Sequence, residues 1–301
     1  MKLFRKKVLF KKVNEDDITR VTFFLSKHFK KKISKVFYKQ RYLTNYSQSY
    51  ICLYNDKIIG HVGFIRYLLN KKIFKKKFIF SRHSSLIHPN FRKLGLFKNL
   101  CLFGINKINK NSNNLGFIIW PNNNNYLRFK NKLKIIFKNN NLLYLRSKKS
   151  SNKAPVELKN NHLKLLKKFD NPGFFEKNEK YIKWKYFIKK DNSKYFINIM
   201  ENNKKIESIS IYDINQKNQL RVQEYFGERK DYISHIYNLL SYNKNIIFFH
   251  KLYNNKNFIM KKKYQTIAYF FSKKIKNRIF KKRFFLTLGD TDTFINYEKI
   301  N

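Results

Sequence analysis

The sequence predicts a mixed α/β protein in which helices flank a twisted, mostly antiparallel sheet. Two apolar stretches, Tyr50–Tyr54 and Ile58–Leu69, are separated only by the turn residues Asn55-Asp56-Lys57, which is typical of a β-hairpin. An apolar run ends at His88-Pro89, and helical periodicity follows from Leu94 to Ile108. Apolar residues make up 43% of the 301 residues, so the chain has enough of them for a sizeable core.

The other elements of the first half follow from local patterns. Acidic residues at Glu15-Asp16-Asp17 predict the start of a helix that continues through Leu25. The segment Ile73–Ile87 predicts two strands with a break between them, after a turn at Asn70-Lys71-Lys72. The remaining predicted elements are a strand at Leu115–Trp120, a short helix through Phe129, and strands at Leu133–Phe137 and Leu142–Leu145.

Composition limits the class of protein. The net charge of +49 allows nucleic acid as a partner, but the basic residues are scattered along the chain and form no single tail. Cys52 and Cys101 lie far apart, and we expect reduced core residues with no disulfide and no metal site. With no apolar run long enough for a membrane helix and no signal peptide, we expect a cytoplasmic protein.

The stretch Leu86–Leu100 is the most informative part of the chain. A strand ends at His88-Pro89, a short basic turn carries Gly95 at its apex, and a helix begins almost at once. Such a junction directs several backbone N–H groups to one place, where the helix dipole also favours negative charge. The pattern therefore predicts a binding site for a diphosphate.

This turn resembles a known signature. Arg92-x-x-Gly95-x-Phe97 resembles the Arg/Gln-x-x-Gly-x-Gly/Ala motif of GCN5-related N-acetyltransferases, and the His-Pro-x-Phe-Arg sequence before it is also typical of that family. Phe97 departs from the final Gly/Ala position. The resemblance covers about residues 13–147 and implies acetyl-CoA, or another acyl-CoA, as co-substrate. It places the coenzyme against these residues: Leu86 and Ile87 at the pantetheine arm, Arg92, Lys93, Leu94, Gly95, Leu96 and Phe97 at the pyrophosphate, and Asn122 at the start of the second helix.

The resemblance also implies a reaction in which an amine attacks the thioester directly. His83 is the candidate general base, because an ordinary histidine pKa near 6.5 suits that role; the alternative is a strand histidine that faces away from the cleft. The tyrosine that usually protonates the thiolate would fall at Phe129, so Tyr126 is the candidate donor, with core packing as its alternative. Asp290 and Asp292 are candidates for acceptor recognition, or they cap a turn in the tail.

A second half repeats the first at an offset near 144–148 residues. Tyr38-Lys-Gln-Arg-Tyr-Leu43 is echoed by Tyr181 to Phe187, and each segment is followed by a polar loop, a strand, a turn and another strand. We predict a catalytic domain at 1–147, a linker at 148–165, and a second domain of the same kind at 166–301 that lacks the pyrophosphate turn. Tandem halves of this sort resemble members of the family in surface-polysaccharide clusters.

These features predict an acyl-CoA-dependent N-acyltransferase. From the resemblance, the expected acceptor is an amino sugar or a nucleotide sugar in the synthesis of cell-envelope polysaccharide. Three alternatives stay open: an aminoacyl-tRNA-dependent ligase of the peptidoglycan type, a basic nucleic-acid-binding protein, and a coenzyme-binding member without activity. The sequence does not indicate the oligomeric state.

Overall fold

The computed structural model describes residues 8–30, 32–74, 77–108, 113–119, 136–147, 153–169, 175–187, 194–250 and 258–270. Within these ranges the chain has the predicted mixed α/β fold, with one curled sheet of twelve strands. The strands are β1 (Val8–Lys12), β2 (Ser47–Tyr54), β3 (Lys57–Leu68), β4 (Phe78–Ile87), β5 (Asn114–Ile119), β6 (Ile136–Arg146), β7 (Val156–Glu157), β8 (Phe196–Asn202), β9 (Lys205–Ile214), β10 (Leu220–Gly227), β11 (Asn245–His250) and β12 (Phe258–Phe270). The helices are α1 (Ile18–Phe29), α2 (Lys35–Tyr42), α3 (Lys71–Phe74), α4 (Leu96–Ile108), α5 (Leu163–Leu166), α6 (Glu179–Tyr186) and α7 (Tyr232–Asn238).

The strand order is symmetric. It reads β1-β2-β3-β4-β5-β12-β6-β11-β10-β9-β8-β7. Each strand of the first half has a counterpart six numbers later, so that β1 corresponds to β7 and β6 to β12. Replacing every strand by its counterpart gives the same order read from the other end. In both halves the fourth and fifth strands are parallel, namely β4 with β5 and β10 with β11. The sixth strand of each half has changed sides: β12 pairs with β5, and β6 pairs with β11. One continuous sheet therefore contains both halves of the chain.

The halves also share local geometry. In the β2–β3 turn Asn55 and Asp56 have φ of 46° and 58°, and in the β8–β9 turn Asn203 and Lys204 have φ of 49° and 63°. Two successive left-handed residues are the signature of the tight hairpin turn that matches strand twist. The proposed division at 148–165 stays a prediction; within it, Val156–Glu157 pair with β8.

Most predicted elements of the first half are present, with two corrections. The turn predicted at 70–72 is wrong, because Lys71–Phe74 form a short helix, and a single strand, β4, follows in place of two. The break predicted between residues 137 and 142 is also wrong. There β6 runs on through Lys138-Asn139-Asn140-Asn141, where Asn140 and Asn141 pair with β12 and Asn141 also pairs with β11. β1 and α2 were not predicted, and the predicted helix through Phe129 lies outside the described residues.

Three cores position the site. Alternate residues of β2 face opposite sides: Cys52 packs with α4, and Ile51 packs with α1 and α2. A third core joins the halves, with Tyr67 of β3 packed among residues such as Tyr181 of α6. Cys52 and Cys101 are buried and unbridged, as predicted. Among the described residues, no helix is both long and apolar enough to span a bilayer.

Candidate active site

Strand β4 contains a bulge just before its end. Leu86 lies opposite His61 of β3 and His83 lies opposite Gly63, so three steps along β4 match two along β3. Ser84, inside this stretch, has a left-handed φ of 44°. A bulge leaves one residue outside the ladder and redirects its neighbours, which is why bulges occur beside active sites. The backbone between His83 and Leu86 is therefore available for contacts outside the sheet.

A chain of hydrogen bonds holds the bulge in place. His61 Nδ1 lies 2.7 Å from the Ser84 carbonyl oxygen, and its Nε2 lies 2.9 Å from the Tyr38 hydroxyl, which in turn lies 2.7 Å from Ser49 Oγ. Burial lowers the pKa of His61 to about 4, so the ring is neutral at pH 7. Because a carbonyl oxygen only accepts, Nδ1 donates to Ser84, Tyr38 donates to Nε2, and Ser49 donates to Tyr38.

A second tyrosine contacts the bulge from the same helix. The Tyr42 hydroxyl hydrogen-bonds Ser84 Oγ. Its ring lies against Gly63, where an added Cβ would stand 2.5 Å from Tyr42 Cε1. Sequence reasoning did not select Tyr38, Tyr42 or His61 as site residues. The only signal for Tyr38 and Tyr42 was the repeated aromatic segment of α2, and His61 in β3 carried none, because nothing in the chain order brings α2 against the end of β4.

The turn between β4 and α4 is exposed and partly left-handed. Its first part is closed, since the Phe91 N–H donates to the His88 carbonyl and the Arg92 N–H donates to the Pro89 carbonyl. Lys93 and Gly95 then have φ of 67° and 75°. Helix α4 begins at Leu96, two residues later than predicted.

The N–H groups at the start of α4 remain available. Among the described residues, the first bond of the helix to a backbone carbonyl outside it runs from Asn99 to Gly95, at 3.2 Å. Helix geometry leaves the N–H groups before that point without an intrahelical acceptor. A Cβ built on Gly95 would meet no atom within 4 Å, so the space beside the turn is open. The turn therefore has donors and room for an anion.

The predicted coenzyme residues have different environments. Ile87 and Leu96 are buried against the core between β4 and α4, and Leu94 and Phe97 are partly buried there. Leu86 is half-buried on the opposite face, beside α1 and α2. Arg92, Lys93 and Gly95 are exposed. The Arg92 side chain bends back, and its Nε donates to the Ile87 carbonyl at 3.3 Å.

His83 lies on the face of β4 that points to the second half. Its ring centroid is 6.4 Å from that of Tyr67, whereas its neighbour Arg82 reaches Phe97 and Cys101 on the α4 side. Burial, with the charges of Arg41, Lys185 and Arg82, lowers the pKa of His83 well below 6.5. The sequence suggested an ordinary histidine pKa; the fold lowers it by burying the ring beside cations from both halves. Asn122, Tyr126, Asp290 and Asp292 lie outside the described residues.

Comparisons with known proteins identify the fold. No protein-family profile and no curated protein matches the sequence. Solved structures do match: a GCN5-related N-acetyltransferase from Anabaena variabilis ATCC 29413 is 10% identical, with a TM-score of 0.64 over 86% of this chain and 72% of that one. A GCN5-related N-acetyltransferase from Kribbella flavida is 7% identical, with a TM-score of 0.55 over 86% of this chain and 70% of that one. This chain therefore has the fold of the GCN5-related N-acetyltransferases.

Proposed function

We propose that this protein is an acyl-CoA-dependent N-acyltransferase that uses acetyl-CoA. The observation that carries the proposal is the exposed turn with left-handed Lys93 and Gly95 in front of α4, directly after a bulged strand. Backbone N–H groups at the start of a helix bind phosphate well, and the open space beside Gly95 leaves room for it. The fold shared with the N-acetyltransferases supports the same chemistry.

In the proposed reaction the amine nitrogen of the acceptor attacks the thioester carbonyl carbon. The carbon–nitrogen bond forms, the carbon–sulfur bond breaks, and coenzyme A leaves as the thiolate. Backbone N–H groups at the Ser84 bulge stabilise the oxyanion, because a bulge frees donors from the ladder. His83 takes up the amine proton and Tyr126 protonates the thiolate. The low pKa of His83 keeps it neutral at pH 7 and makes it a weak base.

The proposed acceptor is an amino sugar, either free or nucleotide-linked, used in cell-envelope polysaccharide synthesis. Its support is the resemblance of the tandem halves to polysaccharide-associated transferases, with Asp290 and Asp292 as the groups that recognise the acceptor. The charge of +49 favours a second candidate, an aminoacyl-tRNA-dependent ligase. Binding of charged tRNA in moderate salt, without any response to acetyl-CoA, would select the ligase.

The test of the coenzyme turn is Gly95→Asp. We expect acetyl-CoA to raise the Tm of the parent protein and to leave that of Gly95→Asp unchanged, because the new carboxylate occupies the anion space and repels the diphosphate. Asp tolerates a left-handed φ, so the Tm without ligand should fall little. The matched control is Asn203→Asp, which adds the same charge at a left-handed turn position in the other half. An equal acetyl-CoA shift in Gly95→Asp and Asn203→Asp would refute the assignment.

A further inference from the structure

A cavity lies next to the coenzyme turn, around the end of the β2–β3 hairpin. It has a volume of about 590 Å³ and is lined by α1, the β2–β3 turn and the segment that leaves β4. Its residues His88 and Phe91 precede the turn that begins at Arg92. Phe24 and Ile58 of its lining belong to the core beside α1, whereas Tyr54, Ile59 and Phe91 belong to the core beside α4. None of the residues 92–97 lines it. We call it the side cavity.

Aromatic rings form a continuous wall of the side cavity. Ring centroids are 4.7 Å apart between Phe24 and His28, 5.0 Å between His28 and His88, 5.6 Å between His88 and Phe91, and 5.5 Å between Phe91 and Tyr54. Such a wall offers a stacking surface to the planar ring of a ligand, because any aromatic base can stack on an aromatic side chain.

Phe23 adds a further ring at the rim and is 71% exposed. Covering such an exposed apolar side chain with a ligand is favourable, because it removes apolar surface from water. Phe23 and Phe24 are adjacent in α1, with Phe24 buried, so the helix contributes one ring to the wall and one to the rim. The cavity thus has apolar surface both beneath and beside a bound ring.

The charge of the side cavity is positive. Among its described lining residues, Asp56 is the acidic one, and it pairs with Arg20 at 3.3 Å from Nη2 to Oδ1. Lys27 and Lys57 are additional cations in the lining. A cavity that combines ring surfaces with an excess of ammonium groups fits a ligand with a planar base and an anionic group.

We propose that the side cavity binds a nucleoside phosphate, with its base against the aromatic wall and its phosphate facing Lys27 and Lys57. The volume suits one nucleotide, since ligand cavities of this size take small molecules. The lining residues differ from those of the coenzyme turn at residues 92–97, so each site can be altered by substitution without changing a residue of the other. The failure of this proposal and the failure of the coenzyme turn are therefore distinguishable.

The experiment is calorimetric titration of the full-length protein with UDP, ADP and inorganic pyrophosphate. We expect UDP and ADP both to bind, and pyrophosphate to bind at least tenfold more weakly, because it lacks a ring to stack. The double variant Phe23→Ala/Lys27→Glu should weaken both nucleotides at least tenfold. The matched control is Val36→Ala/Lys180→Glu, which removes an exposed apolar side chain and reverses an exposed lysine outside the cavity. It should bind like the parent.

The remaining arms separate this site from other sources of the same chemistry. Gly95→Asp should keep its affinity for UDP and ADP, and Phe23→Ala/Lys27→Glu should keep its Tm shift with acetyl-CoA. Binding of ADP alone, lost in Gly95→Asp, would mean that the nucleotide occupies the coenzyme turn and would overturn the proposal. Equal affinity for pyrophosphate, no nucleotide binding at millimolar concentration, or far tighter binding of a single-stranded oligonucleotide would overturn it as well.

Discussion

The two halves share a tyrosine–bulge contact at their fourth strand, but the side chain at the bulge differs. In each half a tyrosine of a short helix hydrogen-bonds a side chain beside a bulge: Tyr42 bonds Ser84 in β4, and Tyr186 bonds Glu224 in β10. Ser84 is neutral and its strand leads to an exposed turn. Glu224 is fully buried and carries a charge. The bulge of one half therefore holds a half-buried neutral hydroxyl, and the bulge of the other holds a buried carboxylate.

In the second half the partners of Glu224 are two lysines. Lys177 Nζ forms an ion pair with Glu224 Oε2, and Lys185 Nζ lies 3.7 Å from Oε1. Burial alone raises the pKa of Glu224, but the charges of the two ammonium groups and the hydrogen bonds from Lys177 and Tyr186 lower it by more, so the net pKa is lowered. The carboxylate is therefore charged at pH 7. A closed ion cluster occupies the place that corresponds to the open bulge of β4.

The turns after β4 and β10 also differ, because the first has open space beside it and the second is crowded. β10 ends at Gly227, where φ is 142° and an added Cβ would stand 2.7 Å from Ser208 Cβ. Glu228 follows, paired with Lys230 at 2.9 Å, and a single 3-10 turn leads directly into α7. Around Gly95, by contrast, the space is open and the neighbouring charges are positive. Among the described residues of these two turns, the open space in front of a helix is therefore found at Gly95 and not at Gly227.

The largest expected effect comes from Glu224→Gln. This change keeps the shape of the side chain but leaves two ammonium groups buried without their counter-charge, so we expect the free energy of unfolding to fall by about 3–5 kcal/mol in urea titrations. The control is Glu157→Gln at an exposed site, with an expected change below about 0.5 kcal/mol.

A protein that fails to fold would agree with this expectation, so a second variant is needed. Replacing Glu224, Lys177 and Lys185 together by Met removes all three charges and should recover most of the lost stability. Unchanged urea midpoints for Glu224→Gln, or a triple variant no more stable than the single one, would contradict the ion-cluster interpretation.

The next effect in size is loss of stability in mild acid. Burial lowers the pKa of His61 to about 4 and that of His235 to about 3, whereas both titrate near 6.5 in the unfolded chain. The unfolded state therefore binds more protons as the pH falls below 6.5, and each histidine should cost roughly 3 kcal/mol by pH 4. The stabilising contribution of Glu224 is lost only as the pH falls below about 4.5, the pKa of glutamate in the unfolded chain.

Urea titrations between pH 7 and pH 4.5 measure this loss. His61→Asn and His235→Asn should each reduce the slope of stability against pH in that window, by similar amounts in the two halves. If both variants kept the parent slope, the buried histidines would not be the groups that take up protons on unfolding.

The smallest effect on stability, and the most specific for function, compares Tyr42→Phe with Tyr186→Phe. Loss of a neutral hydrogen bond should cost about 1 kcal/mol at Tyr42, and loss of a bond to a carboxylate about 2 kcal/mol at Tyr186. We expect Tyr42→Phe to lower kcat for acyl transfer about tenfold with little change in the KM for acetyl-CoA, because the bulge loosens. Tyr186→Phe should leave kcat unchanged. Equal kcat values in the two variants would contradict a special role for the Ser84 bulge.

Much of the first half was predictable because its signals are local. The Asn55-Asp56 turn, the apolar alternation of β2 and β3, and the turn before α4 depend on neighbouring residues. β6 was not, because its asparagines favour a turn, whereas its strand pairs with distant segments: with β12, and with β11 from Asn141 to Arg146. The hydrogen bonds that join Tyr38, His61 and Ser84 at the bulge were also not predicted, since these residues are far apart in the sequence.

The sequence by itself determined the fold class, the position of the basic turn around Gly95 and the repeated character of the chain, because each depends on short-range pattern and backbone preference. Only the tertiary structure decided which side chains meet at the bulges, that β6 and β12 exchange places between the halves, and that His83 lies among cations. Those outcomes depend on contacts between distant segments, where burial, charge and hydrogen bonding act together and no spacing rule specifies the partner.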